Sequence, residues 1–146
     1  MKPIRTLIIA LAALLLSYPT VASPRCGDFL GSMARKPPDL EFLGCKKGKY
    51  FQLRALIATY RVKGEHASEV ESYLVLNTGM ARLQFVCCVW EPGGGGATQH
   101  GRLPKQLDFD SAVMMTSESE TFVKLRRDWS KIPWFYVEAM ILLDKP

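Results

Sequence analysis

The chain has 146 residues, a net charge of +5 and 48% hydrophobic residues. This length suits one domain that can bury a hydrophobic core of its own. Two of the positive charges lie within the first five residues, so the rest of the chain carries only +3. Because this excess is mild and aromatic residues are not interleaved with the basic ones, the composition excludes a nucleic-acid partner.

Residues 1–22 have the pattern of a secretory signal peptide. Basic residues precede a continuous apolar run at 7–16, and small residues at 20–22 precede a cleavage point. Pro19 ends the apolar run well short of the roughly 20 residues that a membrane-spanning helix needs. We therefore predict one domain over residues 23–146 that is periplasmic or secreted, with no stable membrane anchor after cleavage.

The next segment predicts two strands. One or two helical turns near 28–35 stop at Pro37-Pro38, and a strand over Asp39–Lys46 turns at Lys47-Gly48. The second strand covers 50–63, although its apolar residues also match helical spacing. The basic cluster at 46–49 is then expected as an exposed hairpin tip.

The strongest helix signal in the sequence covers Glu65–Asn77. Val70, Tyr73 and Leu74 fall on one face of this helix. The glutamates at 65, 69 and 71 lie near its start, where the helix dipole favours carboxylates. Gly79 follows the segment and is a typical C-terminal end for a helix. The apolar segment Leu83–Trp90 follows, and its composition predicts one strand buried on both faces.

A glycine-rich loop at 92–101 separates this strand from the last part of the chain. It lacks the Lys-Ser/Thr that completes a phosphate-binding loop, so nucleotide binding is rejected. A strand over 107–116 is expected next, followed by a short helix that starts at 117–120 and ends near Trp129.

The final strand is predicted over 132–143 and has two different faces. The first is wholly apolar and is expected in the core: Phe135, Val137, Ala139, Ile141 and Leu143. The opposite face is mixed and is either covered by another layer or free to bind a partner: Trp134, Tyr136, Glu138, Met140 and Leu142.

These elements predict an α+β fold stapled by disulfides. We expect an antiparallel sheet of about five strands with one main helix and one short helix. The order of the elements allows a split βαβ arrangement of the ferredoxin-like kind, among other topologies.

Four cysteines in an exported chain indicate structural disulfides. Cys87 and Cys88 are neighbours on a predicted strand, where a bond between them would need a strained eight-membered ring. Because strand neighbours point to opposite faces, we expect each of the two to pair with Cys26 or Cys45, in an order that the sequence leaves open. A bond between Cys26 and Cys45 that leaves two free thiols is the less favoured alternative. Zinc binding and redox catalysis are the less favoured alternatives, because adjacent strand cysteines do not suit one tetrahedral zinc ion and the chain has no CxxC spacing.

Residues with catalytic chemistry are few. His66 lies three residues before Glu69 but outside a zinc-protease motif, and His100 lies in the glycine-rich loop without preset geometry. We therefore predict no catalytic residue, no metal ligand and no cofactor, and an enzyme is the less favoured class.

Five phrases in the chain resemble a family of small exported bacterial proteins, domain of unknown function 4952. They are PRCGD at 24–28, KPPDLEF at 36–42, TYRVKG at 59–64, FVCCVWE at 85–91 and DWSKIPWFYV at 128–137. The resemblance spans nearly all of residues 23–146 and implies one compact exported domain containing all four cysteines. It implies no reaction and no catalytic residues.

The function that we expect is therefore a non-catalytic periplasmic binding protein, such as an inhibitor or immunity protein against an antibacterial enzyme. A structural or accessory module of the cell envelope and a small secreted hydrolase are the alternatives. The partner is expected to be another periplasmic protein. The candidate partner surface consists of Trp134, Tyr136, Gly93, Gly94, Gly95, Gly96 and His100.

Overall fold

Long strands on both sides of one helix pair into an antiparallel sheet. The structure is a computed structural model that describes residues 23–94, 100–104 and 109–144, so the predicted signal peptide lies outside the described residues. The strands are β1 (Glu41–Tyr50), β2 (Leu53–Lys63), β3 (Leu83–Val86), β4 (Val89–Pro92), β5 (Ser111–Ser117) and β6 (Trp134–Leu142). The helices are α1 (Ala67–Thr78), a 3₁₀ turn at Gly64–His66 and a 3₁₀ helix at Arg126–Lys131.

The main sheet has four strands in the order β1-β2-β6-β5, and β3 and β4 form a separate hairpin. All pairs are antiparallel. The α+β class, the main helix and the short helix are confirmed, but the split βαβ arrangement is wrong. The two strands that directly follow α1 pair with each other instead of joining the main sheet.

The core lies between one face of the main sheet and the helices. Phe135, Val137 and Ala139 alternate along β6 and are fully buried, as their period of two predicts. Val70 and Leu74 of α1 are fully buried in the same cluster. We call this side of the sheet the inner face. Leu143, predicted in the same stripe, lies beyond β6 and is half-buried.

Helix α1 ends where the sequence predicts. Gly79 adopts a left-handed φ of 72°, and its N–H donates to the Val75 carbonyl. One side chain differs from the expected pattern. Glu71, which we placed among the early carboxylates that the helix dipole favours, is fully buried.

The first hairpin turn and the start of the short helix were predicted incorrectly. The basic cluster at 46–49 lies inside β1, and the chain reverses at Phe51-Gln52 instead. Gly48 stays in the strand because it lies opposite Ala55 and leaves room for the Ile57 side chain. The short helix begins at Arg126 rather than near 117–120. Among the described residues, no helix is long and apolar enough to cross a membrane.

Candidate functional site

The face of the sheet opposite the core is the candidate binding surface. We call it the outer face, and define it by the residues of β2, β5 and β6 that pair across the ladder on that side: Ala55, Ile57, Thr59, Arg61, Lys63, Ala112, Met114, Thr116, Trp134, Tyr136, Glu138, Met140 and Leu142. Facing residues of an antiparallel ladder point to the same side of a sheet. The buried residues of each described helix pack on the inner face instead.

One end of the outer face is apolar and largely closed. Ala55, Ile57, Ala112 and Met140 form a small buried cluster of their own. Tyr50 packs against this cluster, and its hydroxyl lies 2.6 Å from Nδ1 of His100. Burial raises the pKa of Tyr50 and lowers that of His100, so both groups are neutral at pH 7.

The other end of the outer face, which we call the aromatic end, carries Arg61, Lys63, Trp134 and Tyr136. The Arg61 guanidinium lies 4.3 Å from the centre of the Trp134 ring. The same guanidinium donates to the Glu41 carboxylate at 2.6 Å. Arg61 thus contacts the Glu41 carboxylate and the Trp134 ring at the same time. Trp134 and Tyr136 are half-buried, so part of each ring faces solvent.

The structure divides the predicted partner surface between different places. Trp134 and Tyr136 lie together at the aromatic end, whereas His100 contacts Tyr50 at the apolar end. Gly93 is buried at the base of the β3–β4 hairpin, where its N–H donates to the Arg82 carbonyl. Gly94 is exposed with a φ of 108°. Gly95 and Gly96 lie outside the described residues.

The disulfide pattern corrects the sequence prediction. Cys26 is bonded to Cys45, with their Cα atoms 5.5 Å apart, and Cys87 and Cys88 carry free thiols. Cys45 lies on β1, and the β3–β4 hairpin packs beside β5. These are opposite edges of a four-stranded sheet, about 14 Å apart at the usual strand spacing. A disulfide joins Cα atoms that are within about 7 Å, so neither Cys87 nor Cys88 can reach Cys45.

Cys87 and Cys88 form the turn of a hairpin rather than the middle of a strand. Val86 pairs with Val89, which leaves the two cysteines as the entire loop. Cys87 has a φ of 57°, the left-handed conformation that two-residue hairpin loops require. The sequence contains no glycine, asparagine or proline at this turn, and the usual signal for a hairpin was therefore missing.

A buried ion pair, which the sequence analysis missed, joins α1 to the hairpin and the 3₁₀ helix. The Glu71 carboxylate is fully buried and accepts from both terminal nitrogens of Arg126, at 2.6 and 2.9 Å. It also accepts from the Leu83 N–H at 2.7 Å. The Arg126 guanidinium lies over both the Trp90 and the Trp129 ring, 5.5 and 4.8 Å from their centres. The signal that could have found it is a glutamate beside the apolar face of α1, directly after Val70 and three residues before Leu74.

His66 has carboxylate neighbours that its sequence position did not reveal. Its ring lies 3.7 Å from Asp39 and 3.7 Å from Glu65. Asp39, His66 and Glu69 bring one ligand atom each within 4.8 Å of one another. Asp39 and Glu69 are exposed, so these groups are well solvated and their geometry is that of a surface charge cluster.

Residues 16–90 match the family DUF4952, a domain of unknown function, and this segment is just over half of the chain. The chain therefore belongs to this family. All four cysteines lie inside the matched segment, whereas β5 and β6 follow it. No curated protein and no solved structure matches the chain.

Proposed function

We propose that this protein is a non-catalytic binding module that recognises another protein through the aromatic end of its outer face. The observation that carries the proposal is the Arg61–Trp134 stack beside Tyr136, half-exposed on a sheet face that no described helix covers. Arginine, tryptophan and tyrosine are the residues that most often contribute the binding energy of protein interfaces.

Rigidity supports this assignment. The aromatic end lies on β2 and β6, the two central strands of the sheet, which pair with each other over nine residue positions. The rings therefore need little ordering when a partner binds, and this lowers the entropic cost of association.

The free edge of the sheet suits a partner less well than its face. β1 is an edge strand, but it carries Lys46, Lys47 and Lys49 and a register irregularity between Phe42 and Gly44. Charged side chains and bulges at an edge disfavour the addition of another strand. We therefore propose side-chain recognition on the face instead of backbone pairing at the edge.

Within this class we propose an inhibitor or immunity protein that acts in the periplasm on an antibacterial enzyme. A small, rigid, disulfide-stapled domain with an aromatic contact surface suits the task of covering a catalytic cleft. An accessory module of the cell envelope would use the same surface on a different protein. A small secreted hydrolase would not need the surface at all.

The first experiment identifies the partner and then tests the surface. The protein is used to capture proteins from envelope extract, and the affinity of the purified partner is measured by titration calorimetry. We expect Trp134→Ala to weaken binding by roughly 30-fold or more, since that residue would lie at the centre of the contact. Leu76→Ala, which changes an exposed residue on α1, is the matched control.

Two outcomes would contradict the proposal. Unchanged affinity after the double change Trp134→Ala and Tyr136→Ala would mean that this end of the sheet binds nothing. For the immunity form, cells lacking this protein should become sensitive to the captured enzyme, and full resistance would exclude that form. Circular dichroism of each variant establishes that the fold is intact.

A further inference from the structure

The tip of the β3–β4 hairpin places two free thiols side by side. The Sγ atoms of Cys87 and Cys88 are 2.6 Å apart, compared with about 2.05 Å in a disulfide bond. Cys87 is exposed and Cys88 is half-buried. The two sulfurs therefore meet without any rearrangement of the turn, and solvent reaches at least one of them.

We infer that Cys87 and Cys88 are a redox-active pair that exchanges reversibly with an external disulfide. This inference is independent of the proposed binding function. The Cys26–Cys45 disulfide in the same chain indicates an environment in which thiols meet oxidants. The external disulfide is either a small molecule or a second protein, and both react by the same chemistry.

A bond between these two cysteines would be suited to redox exchange and would stabilise the fold very little, because of its covalent geometry. Neighbouring Cα atoms are 3.8 Å apart, which is less than the usual separation across a disulfide. The bond would be strained and hence easily reduced. It would also close no chain loop, so it would stabilise the fold very little. Strained and exposed disulfides are the labile ones.

The hairpin turn removes the obstacle that a regular strand would present. On a strand the two side chains would point to opposite faces. At this turn the left-handed φ of 57° at Cys87 brings both sulfurs to the same side. The turn is held from below, because the Thr121 N–H donates to the Cys88 carbonyl at 2.7 Å and the Trp90 indole N–H donates to the Val123 carbonyl at 2.7 Å.

The two sulfurs have different roles in the exchange. The pKa of Cys88 is raised, first by its hydrogen bond with Cys87 and then by burial, so Cys88 keeps its proton. Cys87 is the more exposed sulfur and attacks the external disulfide as a thiolate. This forms a mixed disulfide on Cys87 and releases one external thiolate.

Cys88 completes the reaction. After it loses its proton, its sulfur attacks Sγ of Cys87, forms the Cys87–Cys88 bond and releases the second external thiolate. Two electrons pass from the cysteine pair to the external disulfide, and the two thiol protons pass through solvent to the released thiolates. The reverse sequence regenerates the dithiol and oxidises the external thiols.

Exposed apolar side chains surround the tip and suit contact with a protein that carries the disulfide. Phe122, adjacent to the Thr121 that holds Cys88, is 98% exposed. Val86, next to Cys87, is 44% exposed. A fully exposed phenylalanine is costly in water and favours burial against a partner.

The experiment uses the protein as purified after expression of the full reading frame. It is equilibrated with glutathione at a series of oxidised-to-reduced ratios, quenched in acid, alkylated and mapped by mass spectrometry. We expect the fragment containing Cys87 and Cys88 to change reversibly between the doubly alkylated and the bonded form. Cys26 and Cys45 should remain bonded at reductant concentrations on the order of 100-fold higher. Two thiols that stay alkylated at every ratio would overturn the inference.

Single variants test the order of the steps. Cys88→Ser should trap glutathione on Cys87, whereas Cys87→Ser should react roughly 10-fold more slowly, because Cys88 is the less exposed sulfur. Equal rates would overturn the assignment of Cys87 as the attacking sulfur. Both changes lie on a surface turn and replace sulfur by oxygen, and circular dichroism verifies that the hairpin remains folded.

The variant Phe122→Ala distinguishes the two sources of the external disulfide. Exchange is measured with oxidised glutathione and with oxidised thioredoxin, for the unchanged protein and for Phe122→Ala. Slower exchange of the variant with thioredoxin alone would identify a protein as the source. If Phe122→Ala exchanges as fast as the unchanged protein with each of the two probes, the source is a small disulfide. Both results support the redox pair, and exchange with neither probe would overturn it.

Discussion

Glu71 illustrates how one buried charge connects three elements. Its carboxylate lies on α1, its hydrogen-bond partners are the Leu83 N–H on β3 and the Arg126 guanidinium, and the carboxylate has no contact with solvent. A buried carboxylate is tolerated only when it is fully hydrogen-bonded, and here three donors satisfy it. The position of the hairpin relative to α1 follows from this arrangement.

Replacing Glu71 by alanine should therefore be strongly destabilising. We expect a loss of about 3 kcal/mol in the free energy of unfolding, because the buried Leu83 N–H and the Arg126 guanidinium lose their acceptor. The value lies at the low end for a buried pair, since the Arg126 side chain is 40% exposed. Urea denaturation measures this loss. The control is Glu69→Ala on the exposed face of α1, which should change the free energy of unfolding by less than about 0.5 kcal/mol.

Asp28 fastens the N-terminal segment to the sheet through Tyr60. The Tyr60 hydroxyl donates to Oδ1 of Asp28 at 2.8 Å and accepts from the Leu30 N–H at 3.0 Å. Burial by itself raises the pKa of Asp28, but the hydrogen bonds from Tyr60 and the Gly31 N–H, together with Lys36, outweigh it. They lower that pKa below its ordinary value of 3.8.

The lowered pKa of Asp28 predicts a pH dependence of stability. Since the folded pKa lies below the unfolded value of 3.8, the stabilisation is complete above pH 3.8 and is lost as the pH falls through the folded pKa. Asp28→Asn should cost about 1 kcal/mol at pH 7. The difference between the two proteins should shrink in acid. Denaturation between pH 2 and 7 measures it, and a constant difference would contradict the assignment.

At the scale of elements, Gly64 determines how closely the two 3₁₀ segments approach. It is the first residue of the 3₁₀ turn before α1 and is buried. A β-carbon at this position would collide with the carbonyl oxygens of Trp129 and Ile132. Because those oxygens belong to backbone, they cannot move aside as a flexible side chain would.

Gly64→Ala should consequently destabilise the protein by about 1–3 kcal/mol, the usual cost of overfilling a packed site. Alanine is the better helix former by up to about 1 kcal/mol, and that gain is smaller than the cost of the collision. Thermal unfolding measures the effect. Gly27→Ala is the matched control, because no atom lies within 4 Å of a β-carbon there, and it should leave the melting temperature unchanged.

At the scale of the whole molecule, the Cys26–Cys45 bond ties the N-terminal segment to the edge strand of the sheet. The two residues are 19 apart in sequence, so chain entropy predicts a stabilisation of about 3 kcal/mol. We expect the double change Cys26→Ser and Cys45→Ser to lower the free energy of unfolding by that amount. Guanidinium denaturation under non-reducing conditions measures it.

The other cysteine pair is the control for this prediction. The double change Cys87→Ser and Cys88→Ser affects two residues of a surface turn and should alter stability by less than about 0.5 kcal/mol. A large loss in that variant would mean that these cysteines are structural bridges, as the sequence analysis expected.

Side-chain periodicity accounts for what could be predicted of the fold. The alternation along residues 134–142 predicted the inner face of β6, and the spacing of Val70, Tyr73 and Leu74 predicted the buried face of α1. Both patterns are local, and local spacing determines which face of an element is apolar. The predicted partner residues Trp134 and Tyr136 do lie together, since they are two residues apart on one strand.

The sequence by itself determined that this protein is an α+β domain with a cysteine framework and a mixed stripe along its last strand. Only the tertiary structure decided which cysteines pair, that Cys87 and Cys88 form a turn, and that Glu71 is buried against Arg126. The physical reason is distance along the chain. Periodicity acts over a few residues, whereas disulfide partners, strand order and buried ion pairs depend on which distant segments meet when the sheet closes.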